Sequence, residues 1–340
     1  MKKLVSILIS VIVFYLFFIV LIKSTNFKGE QVYVQYNNEG LSQFADSLVA
    51  KKIIFEKTSF LLIAKVFQVE DKIKPGKFLV KRKTNLIDII RMLRNNRQAT
   101  VKLVLNKVRT KGEFAKLIAT AFDKDSASVM TFLSSNDSLK AFDTDTTQLF
   151  TLLIPNTYEF YWDVNSNKLA DKMAKEYKKF WNHERLEKAA AKSLTPIEVS
   201  VLASIVHKET AKADERATVA GVYLNRLKTG IPLQADPTII FAIKKETGDF
   251  DQVIKRVYHN DLKIKSPYNT YINRGLPPGP IYMPDFSSIE SVLEMETHEY
   301  LFFVADVKRP GYHIFAKTYR QHNKNKRQYT NWLKKNNIRR

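Results

Sequence analysis

Residues 195–209 read Thr-Pro-Ile-Glu-Val-Ser-Val-Leu-Ala-Ser-Ile-Val-His-Lys-Glu, and their pattern governs how the rest of the chain is read. Thr195 followed three residues later by Glu198 makes a capping box, and Pro196 stands at the first helical position, where its missing N–H costs nothing. A helix therefore starts there. Val199, Leu202, Ala203, Ile205 and Val206 give it a core-facing side. At about 100° per residue, Glu209 projects within about 20° of Leu202, between Ile205 and Val206. The spacing thus puts a carboxylate on the buried flank, near the helix C-terminus. Burial and the negative end of the helix dipole both disfavour the anion, so a raised pKa is predicted for Glu209. The alternative is an end-of-helix glutamate paired with Lys208, Lys212 or Arg216.

Downstream, a second helix is predicted from Asp214 to Lys228, with Val219, Val222, Tyr223 and Leu227 facing inward and Gly230 at its stop. Leu233-Gln234-Ala235-Asp236-Pro237-Thr238 follows as a polar, turn-prone segment. Further on come Ser266-Pro267-Tyr268-Asn269-Thr270-Tyr271 and Gly275-Leu276-Pro277-Pro278-Gly279-Pro280-Ile281. Aromatic rings stack on the C–H faces of sugars, and amides bond hydroxyl and acetamido groups, so this mixture suits glycan recognition.

Upstream, residues 31–97 alternate strand-like and helix-like pieces. Val32 and Val34 alternate with Tyr33 and Gln35; Phe44, Ala45, Leu48 and Val49 fall at helical spacing. Gly76 leads into Phe78-Leu79-Val80, and Asn85 caps a helix carrying Leu86, Ile89, Ile90 and Leu93. Residues 101–105 make a further strand, followed by helical patterns at 113–122 and 126–134. The polar stretch Asn136 to Thr147 is the expected boundary before a helix-dominated region. From Leu4 to Ile22 there is no charge, and a helix of that length rises about 28 Å, enough to cross a bilayer. Bulky Phe17 to Ile22 run into Lys23 without a small-residue cleavage pattern, so an uncleaved anchor is expected, with Lys2 and Lys3 favouring a cytoplasmic N-terminus.

The 340 residues carry 55 Lys+Arg against 34 Asp+Glu, a net charge of +21, which suits an anionic partner. The chain has no cysteine, which excludes disulfides, thiolate zinc sites and a thiol nucleophile. His207-Lys208-Glu209 imitates the H-x-E of zinc deaminases but lacks their cysteine ligands. Ser204 has no G-x-S-x-G setting. No metal or cofactor is expected, and placement outside the cytoplasm argues against nucleic acid as a partner despite the basic tail around Tyr329 and Trp332.

Several ordered segments carry a family resemblance. Ala203 to Thr210, Tyr223-Leu224-Asn225-Arg226-Leu227, Leu233 to Thr238, Tyr268-Asn269-Thr270-Tyr271 and Gly275 to Ile281 together resemble the YceG-like family of endolytic murein transglycosylases. Ile154-Pro155-Asn156-Thr157-Tyr158-Glu159-Phe160 upstream resembles that family's Phe-Pro-Asp-Thr-Tyr segment. Tyr300 to Ala305, His313-Ile314-Phe315 and His322-Asn323 are similar to its closing segment. Two departures stand out: His207 occupies a position expected to be acidic, and Asn106-Lys107-Val108-Arg109 replaces a Pro-Glu-Gly turn.

The resemblance implies an α+β architecture with an N-terminal transmembrane helix, a small LysM-like module and a mainly helical catalytic domain with short strands. The expected limits are a cytoplasmic end at 1–3, the anchor at 4–22, a tether at 23–30 and the LysM-like module at 31–98. A connecting α/β segment at 99–148, the catalytic domain at 149–335 and a basic tail at 336–340 complete the chain. It also implies a lytic transglycosylase that cleaves the β-1,4 bond between N-acetylmuramic acid and N-acetylglucosamine inside peptidoglycan strands, leaving 1,6-anhydro ends. Such an enzyme would sit in the inner membrane, single-pass, with its catalytic domain outside, terminate nascent glycans and partner cell-wall synthases. Glu209 falls at the catalytic position. Gln234, Asp236, Tyr268, Asn269 and Thr270 are the candidate substrate-binding residues. Among them Gln234, Tyr268 and Asn269 are expected to orient acetamido groups, and Asp236 to tie down the loop with Pro237. A two-carboxylate hydrolase would instead need a partner such as Asp236, Asp214, Glu215 or Asp306 at about 5–9.5 Å. Two non-enzymatic readings remain: a membrane-anchored glycan-binding scaffold, and a basic protein holding wall polymer or nucleic acid through its tail.

Overall fold

The structure, a computed structural model, describes residues 7, 9–15, 25, 27–106, 108–122, 126–135 and 147–336. Of the expected anchor, only Ile7 and residues 9–15 are described, helical and exposed; the remainder, like most of the 23–30 tether's first half and the last four residues of the chain, lies outside the described residues. Among the described residues no helix is long and apolar enough to cross a membrane. The polar stretch expected as a boundary also lies outside them, apart from Thr147.

The fold mixes helices and short strands, as expected, in two compact units: residues 1–103 with 159–165, and residues 104–158 with 166–340. In the first, strand β1 (Gln31–Tyr36) precedes helices α1 (Leu41–Ala50) and α2 (Lys57–Val66), then β2 (Gly76–Lys81) and α3 (Leu86–Arg94). β1 and β2 pair antiparallel, with Gln31 opposite Lys81 and Tyr36 opposite Gly76. The alternation seen in the sequence puts Val34, Tyr36, Phe78 and Val80 into one core with Phe44, Leu48, Phe60, Ile89, Ile90 and Leu93. Asn85 caps α3 through its side chain, which accepts the Asp88 N–H at 2.8 Å. Strand β3 (Thr100–Leu105) pairs with β4 (Asn156–Tyr161), and the division between the units crosses both strands.

The second unit is helical. In chain order it holds α4 (Lys111–Phe122), α5 (Ser126–Ser134), the single turn α6 (Leu149–Leu152), α7 (Ser166–Phe180), α8 (His183–Ala190) and α9 (Pro196–Glu209). Next come α10 (Arg216–Lys228), α11 (Asp236–Thr247), α12 (Phe286–Leu293), the antiparallel hairpin β5 (Phe302–Ala305) and β6 (His313–Ala316), and α13 (Tyr319–Lys335). The capping box at Thr195 is present in full, with Thr195 Oγ1 accepting the Glu198 N–H and a Glu198 oxygen accepting the Thr195 N–H at 2.8 Å. Every residue of α9 from Val199 to Val206 is buried, including Ser200 and Ser204. α9 is therefore a central helix sheathed on all sides rather than an amphipathic one with a single buried flank. Ser204 is accommodated because its hydroxyl donates to Val201 O at 2.7 Å and accepts the Ile281 N–H at 3.1 Å. The segment read from sequence as turn-prone, 233–238, is irregular only to Ala235; helix α11 begins inside it, with Pro237 in its first turn.

Candidate active site

Glu209 closes α9. The next residue, Thr210, is extended, and its N–H returns to Val206 O, so the helix ends where the carboxylate leaves it. Behind that turn, Thr210 Oγ1 donates to a Glu215 oxygen at 3.1 Å, and Glu215 accepts the His313 N–H at 2.6 Å. The C-terminus of α9 is thereby locked to the β-hairpin. Glu209 is half-buried, and its Oε2 atom is buried without a hydrogen-bond partner among the described residues. Burial raises its pKa to about 7; the Tyr223 hydroxyl, near enough to donate a hydrogen bond, opposes that rise, Asp236 adds to it and Arg226 opposes it.

Each cation that could have neutralised Glu209 is engaged elsewhere. The Lys208 ammonium lies 3.5 Å over the Tyr282 ring, Lys212 lies 4.9 Å over Tyr312, and Arg216 bonds Asp285 at 3.0 Å. The paired end-of-helix arrangement is thus not the one adopted. Arg226, buried on α10, donates to Leu301 O and Leu233 O, each at 2.6 Å, and so ties the 231–235 segment to the start of the hairpin beside Glu209.

Most of the sequence matches a known family: the YceG-like family model covers residues 32–328. The chain belongs to the YceG-like family. Among curated proteins it is similar to the endolytic murein transglycosylase of Bacillus subtilis (strain 168), 42% identical over 128 residues, 38% of this chain and 33% of that protein. It is also similar to the endolytic murein transglycosylase of Streptococcus pneumoniae (strain R6), 38% identical over 141 residues, 42% of this chain and 25% of that protein. The match therefore spans a third or less of the length of these curated relatives. A crystal structure of a yceG-like protein from Listeria monocytogenes aligns with a TM-score of 0.54 at 26% identity, covering 87% of this chain and 98% of that one.

Within this YceG-like site the expected substrate-binding residues separate into two groups. Gln234 and Asp236 are exposed, Gln234 with a left-handed φ of 50°, and Asp236 accepts the Tyr271 hydroxyl at 2.5 Å. Tyr268, Asn269 and Thr270 are buried. The Asn269 amide donates to Leu262 O at 3.0 Å and Ile264 O at 2.9 Å, while its oxygen accepts the Tyr271 N–H at 2.9 Å. Thr270 Oγ1 accepts the Ala235 N–H at 3.0 Å and meets Thr238 Oγ1 at 2.8 Å. The polar atoms of Asn269 and Thr270 hold the loop that presents Gln234 and Asp236. Of the carboxylates weighed as a second acid, Asp214 accepts the Tyr312 hydroxyl, Glu215 is buried against His313, and Asp306 is buried and accepts the Lys308 backbone N–H and the Arg309 Nε–H. Asp236 is the one whose charge acts on Glu209.

His207, at a position the sequence reading expected to be acidic, turns away toward α12. Its Nδ1 lies 3.2 Å from Ser288 Oγ and 3.3 Å from an Asp285 oxygen, and its ring stacks on Tyr282 at 5.0 Å. Burial lowers its pKa, against the pull of Asp285. Arg109 donates to Glu113, to Asp251 at 2.7 Å and to Phe250 O at 3.0 Å. Tyr223, Arg226 and Tyr271 lay inside the quoted motifs, but their roles were not legible there. A tyrosine at a helix's inward spacing reads as core, and only the packing of α10 on α9 brings its hydroxyl to a carboxylate. Among the described residues no group of three or more acidic or histidine side chains stands together as a metal site.

Proposed function

We propose that the chain is an endolytic murein transglycosylase: it cuts β-1,4 bonds between N-acetylmuramic acid and N-acetylglucosamine inside peptidoglycan strands and leaves 1,6-anhydromuramoyl ends. The observation that carries this reading is the half-buried Glu209 carboxyl with a pKa near 7 and one unpartnered oxygen. A carboxyl poised near neutral pH can both give and take a proton. Protonated Glu209 donates to the glucosamine O4 as its bond to muramoyl C1 breaks. The muramoyl C6 hydroxyl then attacks C1, and Glu209 recovers the proton from that hydroxyl, so the substrate supplies its own nucleophile. The endolytic murein transglycosylase names of the curated relatives support the assignment.

In this reading Gln234 and Asp236 contact the strand, and Tyr268, Asn269 and Thr270 act through the loop they brace. Residues 4–22 anchor the protein in the plasma membrane with the N-terminus cytoplasmic, and residues 149–335 act outside on nascent strands beside cell-wall synthases. The β-α-α-β order of residues 31–81 supports calling residues 31–98 a LysM-like module.

The test is to incubate the full chain with defined glycan strands and read product masses. Anhydro ends made by the parent protein and lost in Glu209→Gln are the expected result. Reducing ends would mean hydrolysis, and uncut strands that co-sediment with the protein would favour the scaffold; either overturns the proposal.

A further inference from the structure

Beside Glu209 the second unit holds a cavity of about 260 Å³ that the proposed chemistry does not use, lined by Arg109, Lys208, Lys244, Phe241, Phe250 and Tyr282 above a floor of aliphatic side chains. Its lining includes chain neighbours of the site residues. Lys208 immediately precedes Glu209, Pro237 in its lining follows Asp236, and Ile281 is held to the catalytic helix by the hydrogen bond from its N–H to Ser204.

Its charges are unbalanced. Arg109 has its own carboxylates, Glu113 and Asp251. Lys208 and Lys244 form no ion pair with a carboxylate among the described residues: Lys208 rests on the Tyr282 ring and Lys244 donates to Phe250 O at 3.1 Å. Burial lowers the pKa of Lys208, and the charges of Lys244 and Arg109 lower it further. Three cations lining one partly apolar hollow repel one another, and an anion entering between them would relieve that cost.

We propose that this cavity is a subsite for a free carboxylate of the peptide stem carried by the muramoyl lactyl group, so that the enzyme prefers strands that still bear their stems. The inference rests on the murein-cleaving reading of Glu209. The volume lies just below the ~300–1,000 Å³ of ordinary small-molecule sites, which suits one substituent of a strand rather than the strand itself. Aromatic and aliphatic walls suit the methyl-bearing start of a peptide, and the two unpaired lysines suit its carboxylates. A phosphodiester is the other anion that wall glycans carry. On the muramoyl C6 oxygen it would block the hydroxyl that must attack C1, so the carboxylate is the anion consistent with turnover of the same residue.

Binding, rather than cleavage, tests this independently of the chemistry. Affinity of Glu209→Gln protein is measured for glycan strands with stems, for the same strands stripped by an amidase with the lactyl carboxylate so freed then capped as an amide, and for stemmed strands whose carboxylates are amidated. Stemmed strands should bind about tenfold more tightly than stripped ones. That ratio should fall toward one with amidated stems and in Lys208→Gln/Lys244→Gln, persist in Lys244→Arg, and shrink as salt rises. A ratio of one in the Glu209→Gln parent overturns the proposal; so does a ratio that survives amidation, or one that survives the double substitution in protein with an unchanged unfolding midpoint. Tighter binding of stripped strands bearing a phosphodiester, with no stem effect, also overturns it. Cleavage by the unsubstituted protein is scored separately: if stemmed strands are preferred but none is cut, the lyase reading fails and the subsite stands.

Discussion

The Glu215 carboxylate accepts both the backbone N–H of His313, at 2.6 Å, and contact from its Nδ1 at 2.9 Å, while also taking the Thr210 hydroxyl one residue beyond Glu209. Two segments about a hundred residues apart are thus joined directly behind the reactive carboxyl. Glu215 is 5% exposed, so removing it strands a partly buried imidazole and a backbone N–H. Leaving a buried donor or acceptor without its partner costs about 1–3 kcal/mol. Glu215→Ala should lose stability on that scale in urea unfolding and lose turnover even at temperatures where it stays folded. A loss under 1 kcal/mol would show that the hairpin is held by other contacts.

Glu209 gives a prediction whose sign differs from that of an ordinary carboxylate. Its folded pKa, about 7, lies above its unfolded value, so the native state binds the extra proton between roughly pH 4.5 and 7. Its contribution to stability is therefore full below that window and lost as pH rises through it. Glu209→Gln, neutral at every pH, should match the parent near pH 5 and exceed it at pH 8 by about 2 kcal/mol. Paired chemical denaturation at the two pH values checks this; equal differences at both would mean the carboxyl is not desolvated.

The same pKa sets the pH profile. Turnover that needs protonated Glu209 should decline as pH passes about 7. Because the interaction with Tyr223 lowers the Glu209 pKa, Tyr223→Phe should move that alkaline limb upward. A downward shift in the log of kcat/KM against pH would contradict the assigned hydrogen bond.

Asn269 separates a supporting residue from a contacting one. Asn269→Ala leaves two carbonyls, Leu262 O and Ile264 O, without their donor in a buried loop. The expected result is a stability loss of about 2–3 kcal/mol. KM for strands should change less than kcat as the Gln234 loop loosens. A pure KM effect with unchanged unfolding would make Asn269 a substrate contact instead.

Gly221, in the middle of α10, sets propensity against packing. Alanine is favoured over glycine inside a helix by about 1 kcal/mol. At this position, however, an added Cβ would come 2.6 Å from His298 Nε2 and 2.7 Å from Glu296 O. The backbone carbonyl cannot swing aside as a side-chain end could, so the clash wins, and Gly221→Ala should destabilise by about 1–3 kcal/mol in thermal unfolding.

Local chemistry determined a good deal of this protein. The capping box at Thr195, the Asn85 cap, the alternation at Val32 and Val34 and the inward spacing of Val219 and Val222 are each decided within a turn or a strand of the chain, and the structure carries them as read. The Phe60 to Ala64 run, which builds α2, carries apolar residues on every face, and Leu62 is left 53% exposed; no period announces which side is inward.

What tertiary structure alone decided is where polar side chains spend their hydrogen bonds. Asn269 and Thr270 look like sugar-binding residues by type, yet they bond backbone groups of Leu262, Ile264 and Ala235, which only the folded loop brings near. Glu209 shows the same division. The helix period predicted a single buried flank for its carboxylate, but α9 is buried all round from Val199 to Val206, so the packing of neighbouring elements and not the period decides the burial. The Glu209 pKa depends on Tyr223, Asp236 and Arg226 and on the fact that Lys208, Lys212 and Arg216 have other partners, because electrostatic interactions act through space and sequence spacing does not record those distances.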